Sequence, residues 1–384
     1  MVNRIMLNET SYFGRGSRSK IREEVIGRNF KKVLFVTDKV LLDNRVARMV
    51  TIELELAGCE YFIFDEVKAN PNTQNVLNAL QVARDNNVEA IVAVGGGSVI
   101  DTAKAVSIIM TNNEFEDVVS LDGVADTKNK GLPLICLPTT SGTAAEVTIN
   151  YVITDEARTK KMVCVDPHDI PVVSIIDPDL METMPQSLAA STGMDALTHA
   201  MEGYITKAAW LMTDMFHINA MSLIHKNIVE AANNKDRRAV EKMAYAQYIA
   251  GMGFSNVGLG IVHSMAHSLG AYFDTPHGVA NAVLLPHVLR FNGVVCPDLF
   301  RNMGRAFNLN MENLSDTEAV EKVVEEIFKL NRQLNIPKNL QELNIPEDML
   351  QTLAEQAIND ACTPGNPRDV TVEDILNIYK EAWR

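Results

Sequence analysis

Asp195 and His199 stand four residues apart in Gly193-Met194-Asp195-Ala196-Leu197-Thr198-His199, and on a helix that spacing puts carboxylate and imidazole on one face. The pair could clamp a divalent metal ion. His263 and His267 repeat the spacing in Ile261-Val262-His263-Ser264-Met265-Ala266-His267, and His277 follows after Asp274-Thr275-Pro276. Imidazole and carboxylate together suit Fe(II) or Zn(II). For any one histidine, an ordinary hydrogen-bonded role is the commoner case; the clustering of these candidates favours a metal centre. In one unbroken helix His263 and His277 would lie ~21 Å apart at ~1.5 Å per residue, too far to share an ion. The chain must therefore turn between them, and Gly270 and Asp274-Thr275-Pro276 are the candidate breakers. Spacing leaves open whether His263, His267 or both would ligate.

Such a set has to be positioned by helices, and helical apolar patterns dominate after about residue 185: the Asp195 segment, then roughly 210–230, 236–252, 259–271, 279–290, 317–332, 347–359 and 372–382. Before residue 185 the rhythm is different. Lys32-Val33-Leu34-Phe35-Val36, Tyr61-Phe62-Ile63-Phe64, Ala90-Ile91-Val92-Ala93-Val94 and Leu134-Ile135-Cys136-Leu137-Pro138 read as strands, with helical patterns at about 41–57, 76–83 and 99–106. Near-continuous apolar strands alternating with helices imply a parallel sheet covered on both faces, with ligands at the carboxyl ends of the strands. The expectation is an α/β, Rossmann-like dinucleotide-binding domain over 1–184 and an all-helical metal-binding domain over 185–384, with the chemistry in a cleft between them.

Polar residues do follow the strands. Gly95-Gly96-Gly97-Ser98 leads from a strand into a helical pattern, where bare backbone and free N–H groups can receive a phosphate. A rival account makes Ser98-x-x-Asp101 a capping box and the glycines a tight turn. Asp38 closes another strand, where its carboxylate could accept both hydroxyls of an adenosine ribose and repel a 2′-phosphate, favouring NAD over NADP. A cap or turn role is the alternative for Asp38. Thr139-Thr140-Ser141-Gly142-Thr143 offers hydroxyls beyond a further strand.

Composition narrows the partners. The formal charge is -14, with no concentrated basic run, which argues against nucleic acid or an anionic membrane surface. An apolar fraction of 47% without a long uninterrupted apolar run, and an amino terminus unlike a signal peptide, point to a cytoplasmic protein. Cys59, Cys136, Cys164, Cys296 and Cys362 are scattered, which indicates neither a disulfide framework nor a zinc ribbon.

Taken together, Gly95-Gly96-Gly97-Ser98-x-x-Asp101, Pro138-Thr139-Thr140-x-Gly142-Thr143-x-x-Glu146, Gly193-x-Asp195-Ala196-Leu197-x-His199-x-x-Glu202 and His263-x-x-x-His267-x-Leu269-Gly270 through Pro276-His277-Gly278 resemble the iron-dependent (group III) alcohol dehydrogenase family. The resemblance runs along nearly the whole chain. It implies the fold shared with dehydroquinate synthase and, as ligands, Asp195, His199, His263 and His277, with His267 a non-ligand beside nicotinamide and substrate. It implies NAD(H) held by Asp38, Gly95, Gly96, Gly97, Ser98, Thr139, Thr140, Thr143 and Lys161, and a small pocket lined by Asn150, Phe254 and Cys362. It further implies Fe2+, with Zn2+ as the alternative, a small alcohol or aldehyde as substrate, and a homodimer. Ser264 and Ser268 depart from the pattern, which commonly has a small residue and a proline there. A dehydroquinate synthase-type lyase is the competing activity, but it needs several basic residues, and the helical site segments are nearly free of Lys and Arg.

Overall fold

The computed structural model describes residues 2–384. By internal packing the chain separates between Met184 and Pro185.

In the amino-terminal unit the strands are β1 (Thr10–Phe13), β2 (Lys32–Val36), β3 (Glu60–Phe64), β4 (Ala90–Gly95), β5 (Leu134–Pro138), β6 (Asn150–Asp155), β7 (Lys160–Val165) and β8 (Val173–Ile176). The helices are α1 (Lys20–Gly27), α2 (Lys39–Asp43), α3 (Arg48–Leu56), α4 (Thr73–Asp85) and α5 (Gly97–Thr111). Among the described residues the main sheet has six strands in the order β1-β8-β5-β4-β2-β3, every pair parallel. Alternation sends Leu34, Val36, Ile91 and Ala93 into one core and Val33, Phe35, Val92 and Val94 into the other. Both faces are thus covered by helices, which is why these strands are apolar throughout. The chain leaves β2 for β3 on one side and returns to β4 on the other, so the order reverses between β2 and β4. Ligands of open α/β sheets bind outside the carboxyl ends of the strands at such a reversal.

Several elements differ from the sequence expectation. The helical pattern at 41–57 is two helices, because Arg45 takes a positive φ of 68° between α2 and α3. β6 and β7 form a separate antiparallel pair, joined in register from Asn150↔Val165 to Asp155↔Lys160.

The carboxyl-terminal unit is helical: α6 (Gln186–Ile205), α7 (Leu211–Asn234), α8 (Arg237–Val257), α9 (Ile261–Phe273), α10 (His277–Gly293), α11 (Pro297–Ala306), α12 (Asp316–Gln333), α13 (Leu350–Ala357) and α14 (Val372–Trp383). Of these, α11 lies outside the helices expected from the apolar pattern. No helix among the described residues is long and apolar enough to cross a membrane.

Candidate active site

The helical unit supplies the metal candidates from α6, α9 and α10. Asp195 and His199 lie on one face of α6, both buried, with His199 Nδ1 4.0 Å from Asp195 Oδ2. α9 does not break at Gly270; it runs to Phe273 and stops at Asp274, which takes a left-handed φ of 53°. Pro276 then precedes α10, whose first residue is His277. Gly278 allows this turn to lie on α6, since a Cβ there would sit 2.4 Å from the Ser191 carbonyl oxygen. The reversal brings the His263 and His277 rings to a centroid distance of 5.3 Å.

Ligand atoms of Asp195, His263 and His277 all lie within 4.8 Å of one another. Asp195 Oδ1 is 3.8 Å from His263 Nε2 and 3.6 Å from His277 Nε2. Tetrahedral bonds of ~2.1 Å separate neighbouring ligand atoms by about 3.4 Å. The two distances from Asp195 therefore come within a few tenths of an ångström of the spacing that a divalent first-row ion needs. His199 lies alongside, its ring stacked 4.6 Å from that of His263 and 4.2 Å from that of Phe254.

Glu202, one turn beyond His199 on α6, orients the set. Its Oε1 accepts the Val262 N–H at 2.7 Å and its Oε2 lies 2.6 Å from His263 Nδ1. Burial pushes Glu202 up to about 8, against the pull of backbone N–H groups of Val262, Gly260 and His263. Burial, reinforced by the neighbouring imidazoles of His199, His277 and His267, holds His263 well below its usual range. A proton on Nδ1 of this pair leaves the Nε2 lone pair aimed at Asp195 and His277, the tautomer a metal ligand needs. Gly260 leaves room for this contact, because a Cβ there would crowd Glu202 Oε1 at 2.9 Å.

His267 shares α9 with His263 but has another partner, with Nδ1 2.8 Å from Asp360 Oδ2. Burial alone would raise the Asp360 carboxyl. The His267 imidazole and the Cys362 N–H outweigh burial and hold it below the usual carboxylate range. The Cys362 thiol is pushed well above its ordinary value by burial and then by Asp360, so it is a protonated, weakly nucleophilic group. His267 stacks on His277 with ring centroids 5.3 Å apart. Ser264 and Ser268 donate to the Gly260 and Ser264 carbonyls at 3.3 and 3.2 Å, and α9 continues through both to Phe273.

In the amino-terminal unit, Gly95 pairs with Pro138 across β4 and β5, and Thr139 N–H donates to the Gly95 carbonyl at 3.0 Å. The glycine loop and the threonine loop are therefore neighbours. A Cβ at Gly96 would lie 3.1 Å from Thr140 Cγ2, and one at Gly97 2.6 Å from Thr143 Cγ2. No side chain caps α5: its N-cap is Gly96, Ser98 Oγ donates to the Ala69 carbonyl, and Asp101 accepts the Val152 N–H at 3.2 Å. The capping-box account of Ser98 and Asp101 thus fails; Val99 and Ile100 N–H donate to the Gly96 carbonyl at 3.1 and 3.2 Å, which leaves the Gly97 and Ser98 N–H groups for another acceptor. Asp38 is the N-cap of α2, accepting the Leu41 N–H at 3.0 Å through Oδ1. That is the cap role; one such bond leaves a carboxylate with further acceptor capacity. Lys161, on β7, is buried and donates to Asn70 Oδ1. Asn150 begins β6, Phe254 is buried near the end of α8, and Cys362 follows α13.

Sequence reasoning attached no role to Glu202, Asp360 or Asn281. Glu202 stood three residues after His199 in a quoted motif. Asp360 lies 93 residues from its histidine, and nothing in one sequence joins them.

The comparisons agree in direction. Residues 8–178 match the iron-containing alcohol dehydrogenase model, and 189–383 the carboxyl-terminal model of the Fe-containing alcohol dehydrogenase family. The lactaldehyde reductase of Escherichia coli strain K12 is 49% identical over 383 residues, covering all of both chains. The 1,3-propanediol dehydrogenase of Citrobacter freundii is 39% identical over 382 residues, 98% of each. Among solved structures, an alcohol dehydrogenase from Oenococcus oeni superposes with a TM-score of 0.96 at 36% identity, over 100% of both chains. The chain thus belongs to the iron-containing alcohol dehydrogenase family and is an NAD-dependent oxidoreductase of the CH–OH group.

Proposed function

We propose that this chain interconverts lactaldehyde and 1,2-propanediol, using NAD(H) and a divalent ion, Fe2+ in preference to Zn2+. The ion's ligands in this proposal are Asp195, His199, His263 and His277. The observation that carries it is the convergence of the Asp195, His263 and His277 ligand atoms within 4.8 Å. The substrate class rests on full-length likeness to a protein named lactaldehyde reductase. When bound, the ion would supply Lewis acidity at the carbonyl or alcohol oxygen, and the nicotinamide would give or take the hydride.

The chain's own residues have the remaining tasks. Asp38, Gly95 to Ser98, Thr139, Thr140, Thr143 and Lys161 would hold the dinucleotide at the strand ends. Phe254, stacked on His199, would present an apolar wall to a short carbon chain, with Asn150 and Cys362 as further lining. His267, steadied by Asp360, would pass a proton between substrate oxygen and solvent. By the same family likeness the protein is proposed to work as a cytoplasmic homodimer.

Another short alcohol is the second reading, supported by the full-length match to a 1,3-propanediol dehydrogenase. NADH oxidation with lactaldehyde, propanal and 3-hydroxypropanal decides between them. Lactaldehyde should show the highest kcat/KM, with activity lost on chelation and restored by anaerobic Fe2+. A higher kcat/KM for 3-hydroxypropanal would transfer the assignment to the second reading. Chelator-resistant turnover would overturn the metal assignment.

A further inference from the structure

Asn281 touches three of the candidate ligand atoms at once. Its Nδ2 lies 2.7 Å from Asp195 Oδ1, 3.2 Å from His263 Nε2 and 3.1 Å from His277 Nε2. The residue is fully buried on α10, one turn after His277. Its Oδ1 is also buried and has no hydrogen-bond partner among the described residues. Turning the amide over would press that oxygen against Asp195 Oδ1, so this contact fixes its orientation. An orphan buried carbonyl costs stability, and a leucine of similar volume would avoid that cost. An amide kept at such a position calls for a role in the site.

Its chemistry defines the role. A carboxylate oxygen has two lone pairs, so Asp195 Oδ1 can accept from Asn281 and still serve an ion. Each imidazole Nε2 has a single lone pair, which goes to an N–H or to an ion but not to both. We propose that Asn281 is the keeper of this ligand set: one of its two N–H groups goes to Asp195 Oδ1 and the other is shared by the His263 and His277 Nε2 atoms, so that it holds the three convergent before the ion arrives and competes with the ion for the imidazole lone pairs. Affinity is thereby held below what the ligands alone would give, in exchange for a preassembled site. This rests on the metal reading of the same residues proposed above.

The test uses chelator-stripped full-length protein and Zn2+ as the probe, titrated against a chromophoric chelator. In Asn281→Leu and Asn281→Ala, losing one net hydrogen bond's worth of competition should tighten the Zn2+ Kd by about tenfold. An unchanged or weaker Kd overturns the proposal, since anchoring of Asp195 would then be the larger effect. Imidazole nitrogen NMR on stripped wild-type protein gives a second readout that does not depend on the variants folding. The Nε2 signal of at least one of His263 and His277 should show an accepted hydrogen bond that Zn2+ removes. Signals of free Nε2 atoms on both histidines in the stripped protein overturn the proposal. Wild-type protein that takes up no Zn2+ overturns the metal reading as well, an outcome distinct from wild-type binding with an unaltered variant Kd.

Discussion

His263 and His267 have the same helix and comparable burial, and both present Nδ1 to a carboxylate, Glu202 at 2.6 Å and Asp360 at 2.8 Å. A carboxylate behind an imidazole is what a metal ligand commonly has, so that feature alone does not separate the two. What separates them is the far side of the ring. His263 Nε2 lies 3.8 Å from Asp195 Oδ1 and belongs to the trio it forms with Asp195 and His277, whereas His267 is outside that trio. His267→Ala should therefore retain wild-type metal content by elemental analysis while kcat falls by roughly 10²–10⁴, the usual contribution of a positioned acid–base group. Loss of the metal in that variant would make His267 a ligand and dismiss the relay.

The junction of α9 and α10 decides which histidines can meet. Asp274 holds a φ of 53°, a left-handed conformation that costs a β-branched residue about 1–2 kcal/mol and glycine almost nothing. Asp274→Val should lower the urea midpoint and the Zn2+ occupancy together, because the strained turn delivers His277; Asp274→Gly, which adopts this φ freely, should lose less of each. If the valine variant matches wild type in both measurements, the turn does not depend on this residue. The need for a break was legible in the sequence, since ~1.5 Å per residue forbids a shared ion across one helix. Its location was only half legible: Pro276 marked the restart of helix, but Gly270 drew attention as a breaker and is simply helical. The central strands β2, β4 and β5 were readable because burial on both faces makes them apolar almost without interruption, and the edge strand β3 through its aromatic and β-branched run. β1 and β8, only four residues each, carry too few positions to show a period, and the β6–β7 pair lies apart from the main sheet. Asn281 and Asp360 were invisible because their meaning lies in contacts across 86 and 93 residues of chain.

Across the whole chain the two proposed ligands fall on different units, the dinucleotide on strand ends before Met184 and the ion on helices after Pro185. Hydride transfer requires both, so neither unit can carry the reaction alone, yet each binding event should leave its own footprint. A ligand that binds the native state suppresses opening of the segments that hold it. In hydrogen exchange on the intact protein, Zn2+ should slow amides of α6, the amino-terminal half of α9 and the first turn of α10. NADH should slow those of residues 95–104 and 138–144. The glycine loop is the sharper reporter, because the N–H groups of the first turn of α5 have no side-chain cap to protect them in the free protein. Protection by NADH confined to the helical unit would refute the assignment of the dinucleotide to these strand ends. Protection by Zn2+ that spared α9 and α10 would equally remove the ion from the junction that brings His263 and His277 together.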